Sequence, residues 1–158
     1  MLYDNVMVPY DGSLSADAAL AEAVRYAKED PGMKLHIVQI VDMNALVIEK
    51  LEEKGRIGAA VADGMREAVE EAHVEARSRL HFQVAGAIEN LMNDVLVEIL
   101  EETDPGTQIV EYAQKHRCDL IIMGSRGLGG IRGMLGSVSS HVLREVHVPV
   151  LVVKHAEE

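Results

Sequence analysis

The chain has no tryptophan, one phenylalanine, one cysteine and four prolines in 158 residues. A lone Cys118 rules out an internal disulfide, and with no activating partner beside it, it reads as structural filler in a reduced compartment. Phe82 and eight methionines describe an adaptable aliphatic core, not an aromatic box for stacking a cofactor. Basic residues are scarce: 15 Lys and Arg against 26 Asp and Glu leave a formal net charge of −11, which excludes the electropositive footprint of a duplex-binding protein. Nucleic acid is therefore not an expected partner.

Long apolar runs are missing as well. None approaches the roughly 20 residues of a membrane span, and MLYDNVMVPYDG carries Asp4 and Asp11 where a signal peptide keeps a basic and then an apolar segment. The expectation is a soluble, cytoplasmic protein that does not engage membranes. The histidines at 36, 73, 81, 116, 141, 147 and 155 lack the spacing of metal ligands. The acidic run Glu67, Glu70, Glu71 and Glu75 reads as a solvated helix face. The length suits a single domain over residues 1–158.

What is present is an alternation. Asn5 to Val8, Leu35 to Val41, Val95 to Leu100, Leu120 to Met123 and Val148 to Val153 are short apolar runs rich in β-branched residues. Helical patterns lie between them, which predicts a parallel sheet with crossover helices. The first helix carries Leu20, Ala23, Val24 and Ala27, with Ser13 or Ser15 as N-cap and Pro31-Gly32 as its stop. Asp104-Pro105 starts another helix, with Ile109, Val110 and Ala113 as its buried stripe and an end near His116. Ser137 is expected to cap a last helix carrying Val138, Val142 and Val146.

Residues 43–92 form a long helical segment. Positions 44–54 look helical, Gly55 and Gly58 interrupt, and one apolar stripe then continues to Leu91. An unbroken helix of about 30 residues is roughly 45 Å long. It either kinks near Gly86 or protrudes, as an overhang on the sheet or as an arm that meets a partner.

The stretch GSRGLGGIRGMLGS, residues 124 to 137, packs six of the chain's 13 glycines into 14 residues. It follows an apolar strand and precedes a helix, the place where open parallel sheets bind ligands. Glycine lets backbone approach a ligand closely, and a helix start offers free N–H groups and a positive dipole end to an anion. Arg126 and Arg132 add charge or are solvated loop residues, and Ser137, Ser139 and Ser140 offer hydroxyls. The loop cradles a phosphate or is only a sharp turn. It is not a P-loop, because Leu135 precedes Gly136-Ser137 and no lysine is present. Nor is it a dinucleotide fingerprint, since the first strand ends in Pro9-Tyr10-Asp11-Gly12-Ser13.

These two ends of the chain carry a resemblance. Gly124, Gly127, Gly136 and Ser137 match the Gly, two residues, Gly, nine residues, Gly-Ser/Thr pattern of the nucleotide-binding branch of the universal stress protein family. Val8 to Ser13, Thr103-Asp104-Pro105, Cys118 to Ser125 and Val148 to Val153 match its surroundings. The chain resembles that family over nearly its whole length, weakly in residues 43–92. One departure stands out: Leu128 to Leu135 supply eight residues where the pattern has nine.

The resemblance implies an open five-stranded parallel α/β sheet with helices on both faces, Rossmann-like and related to the adenine nucleotide alpha hydrolases, in strand order 3-2-1-4-5. It implies ATP, ADP or AMP across the carboxyl ends of strands one and four, with Mg²⁺ as an optional companion. By position, Pro9, Tyr10, Asp11, Ile40, Val41 and Met123 would surround the base and ribose. Gly124, Arg126, Gly127, Gly136, Ser137, Val138 and Ser139 would surround the phosphates. Asp11 is alternatively a turn or cap residue, or a partner for Mg²⁺. The last strand, with Val148, Val150, Leu151, Val152 and Val153, would lie at a sheet edge and make a homodimer.

The implied function is a stress-response regulator that responds to nucleotide through an unidentified protein partner. A member that does not bind ATP and works as a dimeric interaction module is the alternative, and a slow ATPase a lesser one. No residue is assigned a catalytic role. An adenylating enzyme of the related hydrolase-like group would need an N-terminal phosphate motif that Pro9 to Ser13 does not match.

Overall fold

The computed structural model describes residues 2–55, 60–101, 104–128 and 134–155, with residues 60–63 described by their backbone only. Gly58 and Thr103, and Gly129, Gly130, Arg132 and Gly133 of the glycine stretch, lie outside the described residues. The elements run β1 (Asn5–Pro9), α1 (Leu14–Glu29), β2 (Lys34–Val41), α2 (Met43–Glu53), α3 (Ala60–Ile88), β3 (Val95–Glu101), α4 (Pro105–Lys115), β4 (Leu120–Gly124), α5 (Ser137–Glu145) and β5 (Val150–Val153). All five strands pair in parallel in the order β3-β2-β1-β4-β5, as expected.

The central strands β1 and β4 are almost wholly apolar because both faces of the sheet are covered there, while β2 and the edge strand β3 admit His36, Gln39, Glu98 and Glu101. Val6, Val8, Leu35, Ile37, Leu120 and Ile122 face α1 and the second half of α3, where Leu80 and Val84 pack. The alternate residues Met7, Val38, Ile121 and Met123 face α4 and α5, against Ile109, Tyr112 and Val142. The period-two alternation of a strand thus feeds two cores from one run of sequence.

The helix ends follow local chemistry. Ser13 caps α1 by accepting from the Ala16 N–H, which settles the choice between Ser13 and Ser15. Asp104 caps α4, accepting from the Thr107 N–H and hydroxyl, with Pro105 at the first turn. At the other end of α4, Arg117 sits at φ 54. Cys118 N–H donates to the Ala113 carbonyl and Arg117 N–H to that of Gln114, a Schellman ending built on a non-glycine residue.

Two expectations change. The N-cap of α5 is Gly136 and not Ser137, which is the first residue inside the helix, and no side chain caps this end. β5 begins at Val150, so Val148 and Pro149 precede it, although the Pro149 carbonyl still accepts from Ile121 N–H. The long segment does not end at Gly86. Helix α3 continues through Gly86 to Ile88, and Ala68, Ala72 and Ala76 of its first half pack against Met43, Val47 and Leu51 of α2. Lys50 and Lys54 reinforce this hairpin through Glu75 and Glu71, both at 2.5 Å.

Candidate functional site

A cavity of about 510 Å³ opens at the carboxyl ends of β1 and β4. That is within the range of small-molecule sites. Its walls come from the residues that leave the strands and enter the next helices, so the first turns of α1, α4 and α5 all reach it through Ala16, Pro105 and Ser137 to Ser139. Each of these ends carries the positive pole of its helix.

On the β1 side, the chain turns at Asp11, whose Oδ1 accepts from Ser13 N–H at 2.9 Å. Gly12, at φ 80, allows the reversal. Tyr10 is buried and donates its hydroxyl to Asp17 Oδ1 at 2.6 Å. Burial first, and that carboxylate second, push the Tyr10 hydroxyl well above the ordinary phenol range, so it stays a donor.

On the β4 side, the loop is fastened to what surrounds it. Ser15 Oγ donates to the Arg126 carbonyl at 2.6 Å, and Ser125 N–H donates to the Val153 carbonyl at 2.9 Å. Gly136 N–H donates to the Ser125 carbonyl at 2.8 Å, and Ser139 Oγ donates to the Gly124 carbonyl at 2.9 Å. The two described ends of the glycine stretch are therefore drawn together. A Cβ on Gly127 would stand 2.9 Å from Asp11 Oδ2, which brings the β1 turn and the β4 loop into contact.

At α5, the N–H groups of Ser137, Val138 and Ser139 belong to the first turn, where no intrahelical acceptor exists. Ser140 N–H is the first to bond back, to the Gly136 carbonyl. No side chain caps the end. The result is a row of donors facing the cavity beside Gly124, Gly127 and Gly136, with Arg126 also in the wall. The lining also has apolar members, Pro9, Ile40, Ile109, Met123, Met134 and Leu135. A lining that combines such donors with aliphatic surface suits a ligand with an anionic group and a flat apolar part.

Of the residues named from the sequence, Pro9, Tyr10, Asp11, Ile40, Met123, Gly124, Arg126, Gly127, Gly136, Ser137, Val138 and Ser139 line this cavity. Val41 does not; it ends β2 paired with Glu101. The hydroxyl proton of Ser139 is committed to Gly124, so its backbone N–H is what it offers a ligand. Ala16, Pro105, Ile109, Met134 and Leu135 were not anticipated as lining residues. The Asp104-Pro105 helix start was legible, and in a parallel sheet every such start lies at the ligand end. Among the described residues of the wall, Asp11 is the one carboxylate. Among the described residues no three His, Cys, Asp or Glu side chains are grouped to hold a metal ion. No described helix is long and apolar enough to cross a membrane.

Comparison with known proteins adds kinship. Residues 2–154 match the family model described as "Universal stress protein family". Universal stress protein MJ0531 of Methanocaldococcus jannaschii is 32% identical over 154 residues, covering 97% of this chain and 83% of that protein. The solved MJ0577 protein of the same organism superimposes with a TM-score of 0.75 at 24% identity, with both chains fully covered. A universal stress protein from Archaeoglobus fulgidus in complex with dAMP gives a TM-score of 0.63 at 22% identity, over 98% of this chain and 100% of that one. One solved in complex with cAMP gives 0.57 at 25% identity, over 96% and 97%.

Proposed function

We propose that this chain, which belongs to the universal stress protein family, binds ATP or a related adenine nucleotide in the cavity and acts as a homodimeric, nucleotide-responsive regulator in the cytoplasm. The observation that carries this reading is the uncapped N-terminus of α5 facing glycine-bordered space between β1 and β4. Phosphates would take the N–H groups of Ser137, Val138 and Ser139, with Arg126 supplying charge. Gly124, Gly127 and Gly136 would keep side chains out of their way. The base would rest against Ile40 and Met123, and Asp11 would take a ribose hydroxyl. The relatives bound to dAMP and cAMP support an adenine nucleotide as the class of ligand.

Mg²⁺, where it accompanies the nucleotide, would be held mainly by phosphate oxygens, with Asp11 the carboxylate within the wall. That is a thin apparatus for hydrolysis. Among the described residues nothing beside the donors of α5 is arranged as a base for an attacking water, so the mechanism is occupancy: ligand joins the β1 turn, the glycine loop and α5, and alters a surface seen by a partner protein. A slow ATPase would depend on Asp11, the carboxylate among the described wall residues.

The homodimer would form through β5, an edge strand whose residues Val150 to Val153 are all partly exposed. The eight-residue spacing between Gly127 and Gly136 favours a second reading, a dimeric interaction module that binds no ATP. To separate the two, purified protein is denatured, any released nucleotide is identified by chromatography and mass spectrometry, and the emptied, refolded protein is titrated with ATP with and without Mg²⁺. Stoichiometric adenine nucleotide or saturable binding supports the switch. Refolded protein that ignores ATP, from preparations that released none, leaves the interaction module.

A further inference from the structure

His36 lies in β2 at 3% exposure, on the face covered by α4 and away from the cavity's mouth. Its Nδ1 is 3.1 Å from the Tyr112 hydroxyl oxygen, and Tyr112 donates its proton to Glu98 Oε2 on β3. A hydroxyl has one proton to give. With that proton on Glu98, the Tyr112 oxygen accepts from His36, so the imidazole carries its proton on Nδ1. Nε2 is then a bare lone pair, and it has no partner among the described residues.

The neighbours decide what a proton there would meet. From α4, Tyr112 and His116 face His36; their rings stack on each other at 4.0 Å, and the His116 ring stands 5.6 Å from that of His36. From β3 and its approach come Glu98 and Asp94, and from β2 itself Lys34, which is 3.2 Å from Asp94. Across the sheet, β1 and β3 place only Met7 and Leu96 beside it. A proton on Nε2 would put a charged N–H where no acceptor waits, and that is costly in a buried site. Burial first, and His116 next, hold the His36 imidazole below the ordinary histidine range.

The same three residues fasten α4 across β2 and β3, and α4 extends to the cavity. Ile109, which lines it, lies one turn before Tyr112, and Pro105 opens the helix there. We propose that His36, Tyr112 and Glu98 form a proton-sensitive latch: proton uptake at His36 Nε2 loosens α4 from the sheet and, through Pro105 and Ile109, the wall of the cavity. The inference does not require that the cavity hold a nucleotide. The sign follows from linkage. An imidazole harder to protonate when folded binds fewer protons than in the opened state, so docking is strong above the free histidine value of about 6.5 and weakens as pH falls below it.

The test uses the intact protein. Imidazole ¹⁵N spectra at neutral pH are expected to show His36 as the Nδ1–H tautomer, with a midpoint below that of free histidine. Amide hydrogen exchange, corrected for intrinsic rates, is compared between pH 7.5 and 5.5. Protection in α4 is expected to fall by up to about tenfold per pH unit below about 6.5 while α1 holds, and His36→Leu is expected to flatten that response. An Nε2–H tautomer, an ordinary midpoint, or α4 and α1 losing protection together overturns the latch, as does an unchanged α4 response in His36→Leu. Should that variant not fold, the tautomer and the wild-type exchange pattern decide the matter.

Discussion

Gly124 and Ser15 meet backbone to backbone: a Cβ at position 124 would stand 2.6 Å from Ser15 Oγ and 2.8 Å from the Ser15 carbonyl carbon. This contact presses the first turn of α1 against the end of β4 and lets Ser15 Oγ reach the Arg126 carbonyl at 2.6 Å. Gly124→Ala therefore requires the helix itself to move. Overpacking of this kind costs about 1–3 kcal/mol, and urea unfolding is expected to show a lowered midpoint at unchanged slope. Stability equal to wild type would mean that the two elements are not locked together.

Gly127 offers a cleaner separation of fold from binding. A Cβ there meets Asp11 Oδ2 at 2.9 Å, the end of a short side chain and not backbone. Gly127→Val is expected to retain the circular dichroism and most of the stability of the parent. Its branched side chain would occupy the space assigned to phosphate, so calorimetric titration with ATP should show no saturable binding. Wild-type affinity in this variant would remove the loop from the proposed site.

The thiol of Cys118 is 4% exposed, and burial, aided by Asp119, pushes it up to about 11. At pH 8 the native protein then holds roughly one thiolate per thousand molecules. Reaction with a colorimetric disulfide reagent should be slow in buffer and fast in denaturant. The folded state keeps its proton longer than the unfolded state, so this residue's contribution is intact below about pH 9 and is lost as pH rises toward 11. Cys118→Ala is expected to lessen the alkaline loss of stability; fast native labelling at pH 8 would contradict the burial.

Val152 lies in β5, paired with Met123 of β4 on one side and at the sheet edge on the other. Val152→Lys places a charge in the proposed dimer interface. Sedimentation should then shift toward monomer at micromolar concentration. A dimer that persists would move attention to the exposed Phe82 and Val74 on α3.

The sheet was readable from the chain because parallel strands covered on both faces appear as short runs rich in apolar, β-branched residues, and because Asp104-Pro105 and Ser13 announce helix starts through local bonds. The glycine stretch likewise pointed to the ligand end, since a late strand followed by glycine and a helix can stand nowhere else in such a sheet. Details that depend on non-local fit were not readable. Ser137 looks like a cap, yet Gly136 takes that place, because its N–H is drawn to the Ser125 carbonyl and a Cβ on it would stand 3.3 Å from that oxygen and from Arg126 Cα.

Sequence alone determined the element order, the two faces of the sheet and the glycine-bordered turn, since each rests on periodicity or on bonds between near neighbours. Tertiary structure decided the rest. It brought Pro105, Ile109, Met134 and Leu135 into the cavity wall and left Val41 out. It packed the first half of α3 on α2, and it joined Tyr112 to His36 and to Glu98 across gaps of 76 and 14 residues. Contacts between residues so far apart depend on where crossover connections set the helices on the sheet, and no local pattern in the chain records that placement.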